Sequence, residues 1–223
     1  LALGAHPQLI GLGEAVRVLE RPRLGEEHKG PQQLRGDLRF ERRCTCGELA
    51  GDCPVWGPLL AWLPAHDDRP LAEKLNRLIE PMTATSPRWL VESFQADEQL
   101  LEAQALGRPV RVIQLTRDVR SWVHSESRRG VERHGRGGTV GWRSMLRWWR
   151  INRRWEQRLN RSGCAVFRLG YEELALAPEQ ALRQLCAWLE VGFDPAMLQP
   201  GLNSSSHIVS GNRMRFDPGQ SQA

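Results

Sequence analysis

Apolar positions fall in short runs along the chain, separated by glycine, proline and charged residues. Leu1-Ala2-Leu3 reads as the end of an element, His6-Pro7 as a turn, and Leu9 to Leu12 as a short apolar run ahead of Glu14. Residues 21–50 are rich in Gly, Pro and charge without periodicity, which predicts a surface excursion. Short helices are predicted at 59–63 and 71–79, separated by Pro64 and Pro70. Trp89-Leu90-Val91 reads as a buried strand, and residues 97–106 as a helix closed by Gly107. The strongest strand pattern is 110–116, where Val110, Val112, Ile113 and Leu115 are β-branched or apolar. Asp118 is placed to cap a helix that continues to Arg129 and stops at Gly130. Residues 130–141 hold five glycines and are expected to form a mobile loop. Trp142, Met145, Leu146, Trp149, Ile151 and Trp155 then mark an amphipathic helix. Ala165-Val166-Phe167 reads as a strand, and Pro178 opens a helix with Leu182, Leu185 and Leu189 on one face.

Strands alternating with helices predict an α/β fold with a parallel sheet flanked by helices. In such sheets ligands sit beyond the carboxyl ends of the strands. A chain of 223 residues fits a single domain, with 21–85 as an irregular insertion or lid region inside it. The longest apolar stretch, 55–63, is broken by Gly57 and Pro58 and is too short to span a bilayer. With no membrane segment or secretory signal visible, a cytoplasmic location is expected.

The formal net charge of +5 hides an uneven distribution. Between 117 and 161, thirteen arginines face four acidic residues, so this region is built to meet an anion or to float as a solvated cationic face. Lys29 and Lys74 are the lysines, and neither precedes Ser or Thr, which excludes a Walker A loop. Val16 stands where a Rossmann fingerprint beginning at Gly11 needs its third glycine. Arginines interleaved with Trp142, Trp148, Trp149 and Trp155 keep a nucleic-acid-binding module as an alternative. The helical spacing of those tryptophans points to packing instead, so no nucleic-acid partner is expected.

Five cysteines, an odd number, argue against a disulfide framework. Cys164 and Cys186 sit in apolar runs and read as buried core thiols. Cys44, Cys46 and Cys53 form three quarters of a zinc pattern, with His28 or His66 as candidate fourth ligands. The pattern is incomplete, and no metal is expected.

The chemistry concentrates where the 110–116 strand meets the next helix. Arg117 lies at the strand's carboxyl end, beside free backbone N–H groups and a positive helix terminus, where an anion would meet a bidentate guanidinium. Ser125 and Arg129 are four apart and share a helix face. The competing reading is that Arg117 pairs with Asp118.

The stretch Arg117-Asp118-Val119-Arg120-Ser121-Trp122-Val123-His124-Ser125 resembles the motif with which sulfotransferases grip the 3′-phosphate of 3′-phosphoadenosine 5′-phosphosulfate (PAPS). Further segments resemble the same family in order: Gly4-Ala5-His6-Pro7 with Gly13-Glu14, Cys44 through Trp56, Tyr171-Glu172-Glu173-Leu174, and His207 to Arg215. The resemblance implies a sulfotransferase fold of the P-loop nucleoside triphosphate hydrolase type. It also implies PAPS as co-substrate, 3′-phosphoadenosine 5′-phosphate (PAP) as product, and a carbohydrate or other small hydroxyl compound as acceptor. Arg117, Ser125 and Arg129 would read the 3′-phosphate, Tyr171 would contact the nucleotide, and Arg213 and Arg215 would add charge near the phosphate. Glu14 matches the position of the catalytic base in tyrosylprotein sulfotransferases.

The family's Pro-Arg-Ser-Gly-Thr-Thr type of loop, which holds the 5′-phosphosulfate, is expected just before Leu1. On that reading residues 1–223 are one sulfotransferase domain, incomplete at the N-terminus and at the C-terminus, with little activity alone. Val91-Glu92-Ser93-Phe94-Gln95 also lacks the lysine that bacterial relatives often carry there. A non-catalytic nucleotide-binding relative is the alternative.

Overall fold

The computed structural model of the chain describes residues 2–19, 42–85, 87–93, 107, 109–134, 141–203 and 206–210. These form helices and parallel strands in two compact units, Leu1–Arg108 with Glu190–Ala223, and Pro109–Leu189.

In the first unit β1 (Leu9–Gly13) runs parallel to β2 (Trp89–Glu92), with Leu9 opposite Trp89 and Gly13 opposite Glu92. The apolar run ahead of Glu14 is therefore a strand. It is followed by α1 (Ala15–Leu19), α2 (Gly57–Trp62) and α3 (Leu71–Ile79). Pro58 stands in the first turn of α2, where its missing N–H costs nothing. Leu12, Val16 and Leu19 pack in one core with Trp56, Leu59, Leu60, Leu63 and Leu78. Residues 42–85, read as part of a lid region, thus supply much of this core. Each such side chain contributes about 1.5–3 kcal/mol on full burial.

Lys74 is buried, and its ammonium donates to the carbonyls of Leu19 (3.2 Å) and Asp67 (2.6 Å), with the Asp67 carboxylate 3.6 Å away. It thereby closes the end of α1, where carbonyls lack helical partners. His6 is buried too: Nδ1 accepts from the Gln8 N–H at 3.1 Å, so Nε2 carries the proton and donates to the Gly192 carbonyl at 2.6 Å.

Residues 206–210 lie along β1. The His207 N–H donates to the Gly11 carbonyl, and the Glu14 N–H to the Ser210 carbonyl, each at 2.9 Å. Only glycine permits this approach at Gly13, which has φ +65° and where a Cβ would strike the Ser210 carbonyl and the Ile208 side chain.

In the second unit β3 (Arg111–Thr116) runs parallel to β4 (Ala165–Gly170), from Arg111 opposite Ala165 to Thr116 opposite Gly170. Between them lie α4 (Val119–His134) and α5 (Trp142–Ser162); after them come α6 (Tyr171–Leu176) and α7 (Pro178–Leu189). Leu182, Leu185 and Leu189 of α7 are buried, as their spacing implies. A short helix, α8 (Pro200–Asn203), follows in the first unit.

Three features differ from the sequence reading. Gly130 does not stop α4, which continues to His134. Glycine inside a helix costs about 1 kcal/mol relative to alanine but ends it where the chain turns left-handed. Gly163 makes that turn after α5, with φ 70°. The apolar positions of α5 are also less covered than their periodicity predicts. Trp142 is 68% exposed, and Met145, Trp149 and Ile151 are exposed as well. Finally, Cys186 is buried as expected, but Cys164 is half-buried. The predicted helix at 97–106, residues 21–41 and the glycine-rich 135–140 lie outside the described residues. No helix among the described residues is long and apolar enough to cross a membrane.

Gly13→Ala should lower stability by about 2–4 kcal/mol, combining a left-handed backbone with overpacking against residues 208 and 210. Gly163→Ala, with φ 70° and open space around the added methyl, should cost only the backbone part, about 1–2 kcal/mol. Urea unfolding midpoints of the two variants measure the difference.

Candidate active site

Three of the predicted site residues stand at equivalent points of the fold. Glu14 directly follows β1, Arg117 directly follows β3, and Tyr171 directly follows β4. Each is thus the first residue beyond the carboxyl end of a parallel strand, where α/β sheets place ligands.

In the second unit, short-range contacts sort the charges around β3. Asp118 caps α4, its Oδ1 accepting the Arg120 N–H at 2.8 Å. The same carboxylate accepts from Nε and a terminal nitrogen of the Arg120 guanidinium at 3.0 and 3.1 Å. Side-chain donation by Arg120, then its backbone N–H, holds the Asp118 carboxyl at about 2, below its ordinary 3.8. The acid next to Arg117 is therefore committed to Arg120.

Arg117 is left for something else. Its Nε donates to the Ser121 hydroxyl at 2.8 Å, and its guanidinium carbon lies 5.1 Å from the Tyr171 ring centre. No carboxylate among the described residues forms an ion pair with it. Its carbonyl accepts from the Trp148 indole at 2.9 Å, which ties the strand end to α5. The competing pairing of Arg117 with Asp118 does not occur, because the helical turn presents Arg120 to that carboxylate instead.

The helix start is less open than predicted. The Asp118 N–H donates to both carboxylate oxygens of Glu172, at 3.2 and 3.1 Å, and the Arg120 N–H is occupied by Asp118. Two of the backbone donors expected to be free are thus taken by acids. Ser121, Trp148 and Glu172 were not singled out as site residues. Ser121 was findable, since it lies four residues from Arg117. Ser125 is half-buried one helical turn beyond Ser121. The side chains of Arg129, Arg213 and Arg215 lie outside the described residues.

In the first unit, Glu14 is half-buried, with carboxylate oxygen Oε2 shielded from solvent and its N–H held by Ser210. Glu92, at the end of β2, accepts the Val16 N–H at 3.4 Å. It therefore caps α1.

Two shallow apolar depressions, of about 380 and 440 Å³, lie on α4 and α5 around Val119 and Met145. Neither is lined by Arg117, Ser125 or Tyr171. The tryptophans of this region are partly covered by their own helix, with Arg143 over Trp142 at 5.6 Å and Arg153 over Trp149 at 5.0 Å.

The thiol cluster is also altered. Cys44 Sγ and Cys53 Sγ are 3.6 Å apart, and Cys53 Sγ lies 3.3 Å from His207 Nδ1. Hydrogen bonding between the two thiols holds Cys53 below the usual thiol range and pushes Cys44 above it. His66, a candidate partner in sequence, instead stacks on Trp62 at 4.1 Å, and His28 lies outside the described residues.

The pattern described as the sulfotransferase family matches residues 1–195. The chain belongs to the sulfotransferase family. Among solved structures, it resembles the "Sulfotransferase Domain from the Curacin Biosynthetic Pathway", with 25% identity and a TM-score of 0.51. That match covers 72% of this chain, and the chain spans 56% of that structure's length. No curated protein matches it. In this member of the family the strand-end arginine is held by a helix hydroxyl and an aromatic ring, and the neighbouring acid is drawn off to Arg120.

The Asp118 carboxyl should titrate near pH 2 in carbon-detected NMR. Because its pKa is lowered by folding, its contribution to stability is present above pH 4 or so and is lost as pH falls toward about 2. Arg120→Ala should move the midpoint upward but leave it below 3.8, since the backbone N–H still donates.

Proposed function

We propose that this sulfotransferase moves a sulfuryl group from PAPS to a hydroxyl-bearing carbohydrate or other small molecule, and that Arg117, Ser125 and Tyr171 hold the nucleotide's 3′-phosphate end. The observation that carries this reading is the partnering of Arg117. Its guanidinium is fixed by Ser121 and Tyr171 at a strand end, while the adjacent Asp118 is spent on Arg120. An arginine so placed offers a fork of donors matched to a phosphate. Ser125, one turn further along α4, adds a hydroxyl. Arg129, Arg213 and Arg215 belong to the same reading through the family resemblance.

Glu14 serves as general base. Its carboxylate takes the acceptor hydroxyl's proton as that oxygen attacks sulfur in line. The new sulfur–oxygen bond forms as the bond from sulfur to the 5′-phosphate oxygen breaks, and PAP leaves with the electron pair. The left-handed Gly13 and the bond from the Glu14 N–H to Ser210 fix where that carboxylate starts.

PAP binding by calorimetry tests the nucleotide site. Arg117→Ala should weaken PAP about 10- to 100-fold, the scale of a hydrogen-bonded charge. Arg117→Lys should fall between, because lysine keeps the charge and loses the fork. Equal affinities for wild type and Arg117→Ala would remove Arg117 from the site. Glu14→Gln should leave PAP affinity within about twofold while slowing sulfuryl transfer by about 10²-fold or more. A coupled loss of both would mean that Glu14 is structural.

A further inference from the structure

We infer that Cys44, Cys46, Cys53 and His207 form a structural zinc site that clamps residues 206–210 to the 42–56 loop. Their four ligand atoms all lie within 4.8 Å of one another. Zinc–sulfur bonds of about 2.3 Å and a zinc–nitrogen bond of about 2.0 Å, arranged tetrahedrally, require sulfur–sulfur separations of about 3.8 Å and sulfur–nitrogen separations of about 3.5 Å. The corresponding separations here are 3.6 Å for Cys44 to Cys53, and 3.9 and 3.3 Å from those sulfurs to His207 Nδ1. Cys44, Cys53 and His207 thus stand close to three corners of a tetrahedron, with the exposed Cys46 sulfur within 4.8 Å of each.

The donor set fits zinc chemically. Three thiolates and one imidazole complete a four-coordinate shell with no open position, which is the structural rather than the catalytic arrangement. Loading zinc on three thiols and a neutral imidazole releases three protons and forms three sulfur–metal bonds and one nitrogen–metal bond, with no change of oxidation state. Cys44 and Cys53 are buried, His207 is half-buried and Cys46 is exposed, so the metal has an entry path from solvent.

The backbone around the ligands is built to hold them. Gly47, with φ +99°, lets its N–H turn back to the Cys44 carbonyl at 3.0 Å, and the Cys44 N–H reaches the Glu48 carbonyl at 2.9 Å. Between the first two cysteines, Thr45 accepts the Ile208 N–H on its hydroxyl at 2.9 Å. Trp56 donates its indole N–H to the His207 carbonyl at 2.7 Å. The fourth ligand lies 154 residues from Cys53, so the site joins parts of the chain far apart in sequence. It lies one hydrogen bond from β1, through His207 and Gly11, and residue 210 of the clamped segment holds the Glu14 N–H. The clamp is therefore a positioning device for the end of β1.

The test is metal analysis of the full chain purified under reducing conditions without chelator. About one zinc per chain is expected, with loss of most of it in Cys46→Ser and in His207→Ala and retention in Cys164→Ser. Stripping with a chelator should lower the melting temperature, and equimolar zinc should restore it. Cobalt(II) added to the stripped wild type should give the intense visible bands and sulfur-to-cobalt charge-transfer absorption of a tetrahedral thiolate site, which decides the matter even where a variant fails to fold. Weak octahedral cobalt bands, an absence of zinc uptake by the reduced protein, or a Cys44–Cys53 disulfide in the native chain would each overturn the proposal. PAP binding reads the nucleotide site separately, so loss of one reading leaves the other intact.

Discussion

The indole N–H of Trp56 donating to the His207 carbonyl is the contact on which the first unit turns. Trp56 is fully buried, so leaving that N–H without an acceptor would carry the desolvation cost of a buried donor. With the bond made, the largest side chain of the core and the 206–210 segment become one structure. Three consequences follow from the chain geometry. His207 is turned toward Cys44 and Cys53, its N–H reaches β1, and Ser210 arrives at the Glu14 N–H. The glycines of β1 are what make room, since a Cβ at Gly11 would meet the Ser206 hydroxyl at 2.5 Å. A hydrophobic core thus sets the position of a polar strand end.

The second unit solves a different problem, that of placing a cation where it stays available. An arginine next to an aspartate would ordinarily pair with it. Helix geometry prevents this here, because a capping aspartate faces the second residue of its helix, and that residue is itself an arginine. Asp118 is satisfied twice by Arg120, through backbone and side chain. Arg117 then rests on a hydroxyl and a ring face, partners that orient a guanidinium without neutralising it. Glu172 occupies the Asp118 N–H, so the proposed phosphate site would rest more on side chains than on the helix terminus.

What could be read beforehand follows from how local each contact is. The Asp118 cap and the strand before it lie within a dozen residues, and the pattern at 110–129 announced them; the Arg117–Ser121 step of four is equally local but was passed over for Ser125. The buried face of α7 was equally legible, because periodicity and a proline start act over single turns. Other features depended on partners far along the chain. Nothing near Cys53 indicates His207, which lies 154 residues away. The five residues 206–210 carry too little pattern to reveal that they lie along β1. Gly130 misled for the opposite reason: a local rule was applied where the helix runs on through it. Tyr171 was placed by family resemblance alone, and its ring lies beside Arg117.

The arginine-rich stretch from 117 to 161 looks from composition like one cationic surface, but its members do different things. Arg120 is neutralised by Asp118, and Arg147 lies 3.5 Å from Glu126. Arg143 and Arg153 cover tryptophan rings on their own helix. Each guanidinium takes up one face of its ring and leaves less of the tryptophan open to other partners. Charge that stays on the surface still contributes to a long-range positive potential, and such a potential raises the encounter rate with any anion without selecting among them. Selection needs a cation held in one geometry and left without a countercharge. Among the described residues Arg117 forms no ion pair, because Arg120, three positions on, takes the adjacent Asp118.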